Sequence, residues 1–177
     1  PADLSEIQLQ MLGELTAKLG LPPERIAALA ADLRLAVSLH FGFETGATGD
    51  VLKRYCEFPL SRGWDLARRA GHPLLVHRAV KWDPADPGQA ATSRYTARPA
   101  LGIADTAARI RVLLGENPAA PLAVGLLNRA AGRIGAKDRL FLEVEEEGTM
   151  RRSFDLKLYD ARFTTTDLAP ALPGLSA

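Results

Sequence analysis

Cysteine, histidine and aromatic residues are scarce in this sequence, and its charges nearly cancel. The single cysteine, Cys56, excludes an internal disulfide and favours a reducing compartment. The 22 basic and 21 acidic residues leave no basic excess, which argues against a nucleic-acid binder. No apolar run approaches the roughly 20 residues of a membrane span, and the N-terminal segment lacks the apolar stretch of a signal peptide. We therefore expect a cytoplasmic protein that binds neither nucleic acid nor membrane.

Residues for metal and cofactor chemistry are also few. His40, His72 and His77 have no His or Cys partner at metal-ligand spacing. The sequence contains no dinucleotide fingerprint and no Gly-x-Ser-x-Gly elbow. Cys56 alternates with apolar residues, which is typical of a buried thiol. We expect no metal site and no cofactor.

The 177 residues suit one domain, and the abundant Ala, Arg, Leu, Gly and Pro suggest a bacterial source. Residues 1–34 show apolar side chains at helical spacing and predict two helices. Residues 35–160 predict hairpins alternating with helices, and residues 161–177 form a tail. The sequence therefore predicts a single α+β domain over residues 1–177.

Three pairs of segments alternate between apolar and polar residues, as half-buried strands do. Each pair is separated by residues that favour turns, so we expect three hairpins and about six strands. Hairpins give antiparallel pairs, and one sheet with the helices on one face is the economical packing. The predicted strands are 36–44 and 52–58, 74–82 and 92–99, and 139–145 and 152–159.

The alternation separates an apolar face from a face of cationic and aromatic side chains. Lys, Arg, Tyr and His together suit a carboxylate, a phosphate or a diphosphate. The predicted ligand-binding residues are His40, Lys53, Tyr55, Arg94, Lys157 and Tyr159.

The register of the second hairpin stays open at this point. Either His77 and Lys81 or Arg78 and Trp82 lie on the polar face, because a shift of one residue exchanges the faces.

Two acidic residues of the third hairpin are candidates for acid and base catalysis. Glu143 and Asp155 are expected to share a face, and neighbouring carboxylates can drive each other's pKa apart.

A short motif carries the one family resemblance. Lys-x-Tyr occurs on two returning strands, as Lys53 and Tyr55 and again as Lys157 and Tyr159. Hairpin and helix repeats with this motif resemble the aromatic prenyltransferases of the ABBA type. In that family, repeated units close a barrel whose inner Lys, Arg and Tyr side chains hold a prenyl diphosphate, and an acidic residue assists the aromatic acceptor.

The resemblance implies that the four Lys and Tyr residues bind a diphosphate, joined by Arg94 or Arg98. The family barrel has more units than the three predicted here, so a closed barrel implies two chains or a longer parent protein.

Two hypotheses about function follow. In the first, the protein is a small-ligand enzyme, such as a transferase, that binds an anionic molecule on the polar face. In the second, it is a non-catalytic binding or assembly module that uses this face as a protein interface. A homodimer through the sheet edges is expected as well, since exposed edges invite pairing.

Overall fold

The computed structural model describes residues 6–46, 49–60, 63–135, 139–150 and 152–168. The helices in this part of the chain are α1 (Glu6–Lys18), α2 (Pro23–Leu33), α3 (Trp64–Ala70), α4 (Ile103–Leu114), α5 (Ala119–Ala131) and α6 (Thr165–Leu168). The strands are β1 (Ser38–Gly46), β2 (Gly49–Glu57), β3 (Leu74–Asp83), β4 (Asp86–Ala97), β5 (Leu140–Glu146) and β6 (Arg152–Lys157).

The strands form one six-stranded sheet in chain order, from β1 at one edge to β6 at the other. This arrangement confirms the predicted α+β class and the mainly antiparallel sheet. The chain divides into two compact units. Unit 1 is Pro1–Gly63, Leu75–Thr96 and Glu145–Arg151, and unit 2 is Trp64–Leu74, Ala97–Val144 and Arg152–Ala177. The single-domain assignment stays a prediction.

The core of unit 1 lies between the two N-terminal helices and one face of the sheet. Leu29 and Leu33 of α2 bury the Cys56 thiol of β2, and Leu9 and Leu12 of α1 pack on the same cluster. A second cluster joins Leu21, Val80 and Trp82. We call this side of unit 1 the helix-covered face.

The core of unit 2 joins α4 and α5 to the last two strands. Ile110 and Leu127 are buried with Phe141 of β5, and Phe154 and Leu156 of β6 pack against them. The rings of Phe141 and Phe154 lie 5.7 Å apart between centroids. Phe154 and Leu156 therefore define the helix-facing side of β6.

Several strand boundaries differ from the sequence prediction, and the start of β4 and the end of β6 are two of them. The second turn is short, because the Asp83 carboxylate accepts a hydrogen bond from the Ala85 backbone N–H at 2.7 Å and closes a tight Asx turn. As a result β4 begins at Asp86, not at residue 92 as predicted. The last strand ends at Lys157, and a short 3₁₀ turn over Tyr159–Ala161 follows, so Tyr159 lies outside the sheet.

Candidate functional site

The register of the first three strands decides which side chains share the face opposite α1 and α2. His40 pairs with Tyr55 and Tyr55 with Ala79, while Lys53 stands opposite Lys81. Residues directly opposite one another point to the same side of a sheet. We call this side the polar face; in unit 1 it carries Ser38, His40, Glu44, Lys53, Tyr55, Glu57, His77, Lys81 and Tyr95.

The same register settles the open question about the second hairpin. His77 is opposite Glu57, so His77 and Lys81 lie on the polar face. Arg78 and Trp82 lie on the helix-covered face, where Trp82 is 1% exposed and its indole N–H donates to the Leu19 carbonyl at 2.7 Å.

An aromatic cluster occupies the middle of the polar face. Tyr95 makes edge-to-face contacts with Tyr55 (6.2 Å between ring centroids) and with His77 (5.8 Å). These separations and angles are the favoured ones for aromatic pairs. Ala79, opposite Tyr55 in the register, is fully buried although it carries only a methyl group. The cluster is half-buried, so its rings offer a firm apolar surface that a ligand can still reach.

Two ammonium groups lie beside this cluster, those of Lys53 and Lys81, and one of them pairs with a carboxylate. Lys53 forms an ion pair with Glu44 and its side chain is 13% exposed. That hydrogen bond holds the pKa of Glu44 below its ordinary value of 4.5, and the nearby charge of Lys81 acts in the same direction. Within the described ranges, no carboxylate lies at ion-pair distance from Lys81. Of the two ammonium groups, therefore, only that of Lys53 has an ion-pair partner among the described residues.

His40 belongs to a separate hydrogen-bonded group at the other end of the strands. The Ser38 hydroxyl donates to a Glu57 carboxylate oxygen at 2.8 Å and lies 3.0 Å from Nε2 of His40. Nε2 of His40 is 3.7 Å from Glu57. Lys53 and Glu57 are four residues apart on β2, about 13 Å in an extended strand, so the carboxylate next to His40 is distant from the lysine pair.

Arg94, which we expected on the polar face, lies on the helix-covered face instead. It forms an ion pair with Glu147 at 2.9 Å, and Glu147 lies 3.8 Å from Arg25 of α2. Arg25 also donates to the Thr92 hydroxyl at 2.7 Å, and Thr92 points the same way as Arg94 because side chains alternate along a strand. Tyr95, the neighbour that sequence reasoning missed, takes the place on the polar face.

The candidate acid and base residues, Glu143 and Asp155, do not come together. Glu143 lies on the helix side of β5, where it accepts hydrogen bonds from Arg109 of α4 at 2.6 and 3.1 Å and pairs with Arg98 at 3.0 Å. Asp155 alternates with Phe154 and Leu156, which face the core, and so it points to the opposite side. The expectation that they share a face is wrong.

The carboxylate of Glu143 belongs to an ion cluster with Arg98 and Arg109. Burial alone raises the pKa of this carboxyl, but the hydrogen bonds from Arg109 and Arg98 outweigh burial and place the pKa below its ordinary value of 4.5. A general acid at neutral pH needs a raised pKa, so this environment favours a permanently ionised structural group.

The second Lys-x-Tyr motif does not repeat the geometry of the first. Lys157 ends β6 and is half-buried in unit 2, whereas Tyr159 is 82% exposed in the 3₁₀ turn. Tyr159 is thus not one strand period beyond Lys157, as Tyr55 is beyond Lys53. Of the six predicted ligand-binding residues, the structure places His40, Lys53 and Tyr55 on one face.

A buried ion cluster on the helix-covered face has no counterpart in the sequence prediction. Asp32 of α2 forms ion pairs with Arg78 and with Nη1 of Arg54, the latter at 3.6 Å. Arg54 is 0% exposed, and its Nη1 also donates to Sγ of Cys56 at 3.3 Å. Burial raises the pKa of the Cys56 thiol above 9.0, so this cysteine is a core residue, as its alternation predicted.

Unit 2 contains a cavity of about 160 Å³ lined by residues that include Leu101, Phe141 and Leu156. Ligand pockets usually measure about 300–1,000 Å³, so this one is small for a metabolite. In the part of the chain that the structure describes, no group of three or more His, Cys, Asp and Glu side chains is arranged to hold a metal ion.

No family model, curated protein or solved structure matches the chain. None of the helices among the described residues is both long and apolar enough to cross a membrane. A functional proposal for this chain is therefore argued from its own geometry.

Proposed function

We propose that the protein binds a small anionic molecule on the polar face of unit 1, with the anionic group between Lys53 and Lys81. The observation that carries this proposal is the local charge balance. Like charges directly opposite each other in a sheet are destabilising, and Glu44 neutralises one of the two ammonium groups. A phosphate, diphosphate or carboxylate placed beside Lys81 supplies the missing negative charge.

The rest of the ligand is planar or apolar in this proposal. Tyr55 stands one strand period from Lys53 and its ring contacts that of Tyr95, and both rings are half-buried. Tyrosine combines a large contact area with little conformational entropy to lose, which suits a binding surface. A molecule with an anionic head and an aromatic or isoprenoid body matches both parts of the site. A transferase acting on such a molecule is the enzyme class that this chemistry favours.

A thermal-shift and titration series at constant ionic strength tests the proposal. Phosphate, diphosphate, phenyl phosphate and a prenyl diphosphate are compared, because a ligand at 100 times its Kd adds about 2.7 kcal/mol of stability. We expect diphosphate to bind, and the two ligands with apolar bodies to bind more tightly than their bare anions.

Variants assign the two parts of the site. Lys81→Met is expected to weaken every anionic ligand at least tenfold, whereas Tyr95→Leu removes only the advantage of the apolar body. Lys18→Met is the matched control, because Lys18 is an exposed lysine in the last turn of α1. No stabilisation by any anion, or an equal loss in the Lys18 variant, contradicts the proposal.

A further inference from the structure

The first strand is an open edge of the sheet and exposes large apolar side chains. Among the strands that the structure describes, β1 is the end member of the order and pairs with β2 alone. Its outer edge therefore offers backbone N–H and C=O groups to a further strand. On the helix-covered side of this strand, Phe41 is 44% exposed and Phe43 is 63% exposed. Exposed aromatic residues on an unprotected edge favour pairing with another strand.

The sequence of β1 is complementary to itself around one residue. His40, Phe41, Gly42, Phe43 and Glu44 read as a basic, aromatic, glycine, aromatic and acidic series centred on Gly42. In an antiparallel pair of two such strands with Gly42 at the centre, each His40 stands opposite a Glu44 and each Phe41 opposite a Phe43. The charges and the aromatic rings match at the same time, which a shift by one or two residues abolishes.

The faces match as well as the residues. His40 and Glu44 lie on the polar face, and the two phenylalanines lie on the other side. A two-fold axis perpendicular to the sheet brings like faces together, so polar side chains meet polar side chains and rings meet rings. The side chains of His40 and Glu44 are 62% and 64% exposed, which leaves both accessible to a partner strand.

We propose that β1 pairs antiparallel with β1 of a second copy of this chain, centred on Gly42, and so extends the sheet across a homodimer. This inference does not depend on the proposed ligand, because it concerns the edge of the sheet, although Glu44 takes part in both arrangements. It gives a register and a symmetry to the edge-to-edge dimer that the sequence leads us to expect. Cross-strand aromatic pairs are stabilising, and an imidazole N–H of His40 can donate to the carboxylate of Glu44 in the second copy. The proposal depends on this complementarity of hydrogen bonding and shape.

A single cysteine at the proposed axis tests the register. Equivalent residues opposite each other in an antiparallel pair have Cα atoms about 4.5–5.5 Å apart, within the roughly 4.4–6.8 Å range of disulfides. A Cβ atom at Gly42 meets Lys53 at 3.6 Å, an ordinary contact, so Gly42→Cys fits the fold. The native Cys56 is buried and does not compete. Mild oxidation of G42C is expected to give a covalent dimer of twice the 19.0 kDa chain mass.

Thr45→Cys is the matched control on the same strand. In the proposed register the two copies of Thr45 are six residues apart along the strands, roughly 20 Å, which is too far for a disulfide. Cross-linking of G42C with little cross-linking of T45C supports the proposal. Failure of G42C to cross-link, or equal cross-linking of both variants, overturns it.

Light scattering without any cross-link gives an independent measurement. The unmodified chain is expected to show a concentration-dependent dimer. His40→Glu places two like charges opposite each other and is expected to raise the dimer Kd at least tenfold, whereas His40→Lys retains the dimer. Lys81→Met leaves the dimer intact even where it abolishes ligand binding, so the two proposals fail separately. A monomer at all concentrations, or equal effects of the two His40 variants, contradicts the inference.

Discussion

We expect the loss of the Asp32 carboxylate to lower the free energy of unfolding strongly, although the substitution by Asn changes the side chain very little. This carboxylate is 3% exposed and balances the guanidinium groups of Arg54 and Arg78. Arg54 is completely buried, and within the described ranges its Nε and Nη2 atoms have no hydrogen-bond partner. Asp32→Asn keeps the shape of the side chain but leaves the charge of Arg54 without a counter-charge.

The expected cost is large because a charge cannot easily be left alone in a protein interior. Removing one partner of a buried ion pair costs about 3–5 kcal/mol. The total stability of a domain is about 5–15 kcal/mol, so Asp32→Asn removes a substantial part of it. For a chain of this length, the loss corresponds to a decrease in Tm of roughly 6–20 °C.

Urea unfolding, followed by far-UV circular dichroism and by tryptophan fluorescence, measures this cost. Glu6→Gln is the control, since the Glu6 carboxylate is 90% exposed and lies 3.7 Å from Arg34. Exposed pairs contribute about 0.2–1 kcal/mol, so this variant is expected to unfold almost as the wild type does.

A second substitution separates the charge from the packing. Arg54→Met in the Asp32→Asn background removes the unpaired charge and keeps an apolar side chain of similar length. The double variant is expected to be more stable than Asp32→Asn alone, because apolar residues often replace buried ion pairs without loss. If Asp32→Asn costs less than about 1 kcal/mol, or if Arg54→Met adds to the loss, the reasoning about an uncompensated charge is refuted.

Two further substitutions test buried polar contacts. Glu143→Gln is expected to cost about 2 kcal/mol at pH 7, less than a fully buried pair because Arg98 and Arg109 are about one-third exposed. Since folding lowers the pKa of Glu143, the stability that its carboxylate contributes is present above pH 4.5 and is lost as the pH falls below that value. The unfolding free energies of the wild type and of Glu143→Gln should therefore converge at low pH. A constant difference between them down to pH 2 contradicts this. Trp82→Phe leaves the Leu19 carbonyl without its donor and is expected to lower the free energy of unfolding in urea by about 1–3 kcal/mol. Trp64 is half-buried, and Trp64→Phe is expected to lower it little. Equal losses in the two variants contradict this prediction.

The architecture was predictable because the signal for it is local. In the segments that form β1, β2, β3 and β5, the alternation of apolar and polar residues distinguishes the two sides of each strand. The two strands of each hairpin are also adjacent in the chain. The separation of Lys53 and Tyr55 from Arg54 and Cys56 follows directly from that alternation.

The phase of β4 was not predictable in the same way. Residues 92–96 around Arg94 and Tyr95 are all polar except for the tyrosine ring, so no aliphatic residue marks the core side. Arg94 reaches the helix-covered face because Glu147, far away in the chain, supplies its counter-charge there. The Asp32 cluster is hidden from sequence reasoning for the same reason, since 46 positions separate Asp32 from Arg78. A long-range ion pair has no periodicity that a single sequence reveals.

The buried ion cluster nevertheless bears on the proposed site through the register of β2. Arg54 lies between Lys53 and Tyr55, and its side chain points to the opposite face. A slip of one residue would turn Lys53 and Tyr55 toward the core and withdraw Arg54 from Asp32, leaving a buried carboxylate with a poorer counter-charge. Because that arrangement is costly, the pair formed by Asp32 and Arg54 holds β2 in the phase that presents Lys53 and Tyr55 on the polar face. The cluster thus positions the candidate ligand-binding residues without itself contacting a ligand. The ammonium group of Lys81, which has no ion-pair partner among the described residues, lies on the opposite face, where a ligand can reach it.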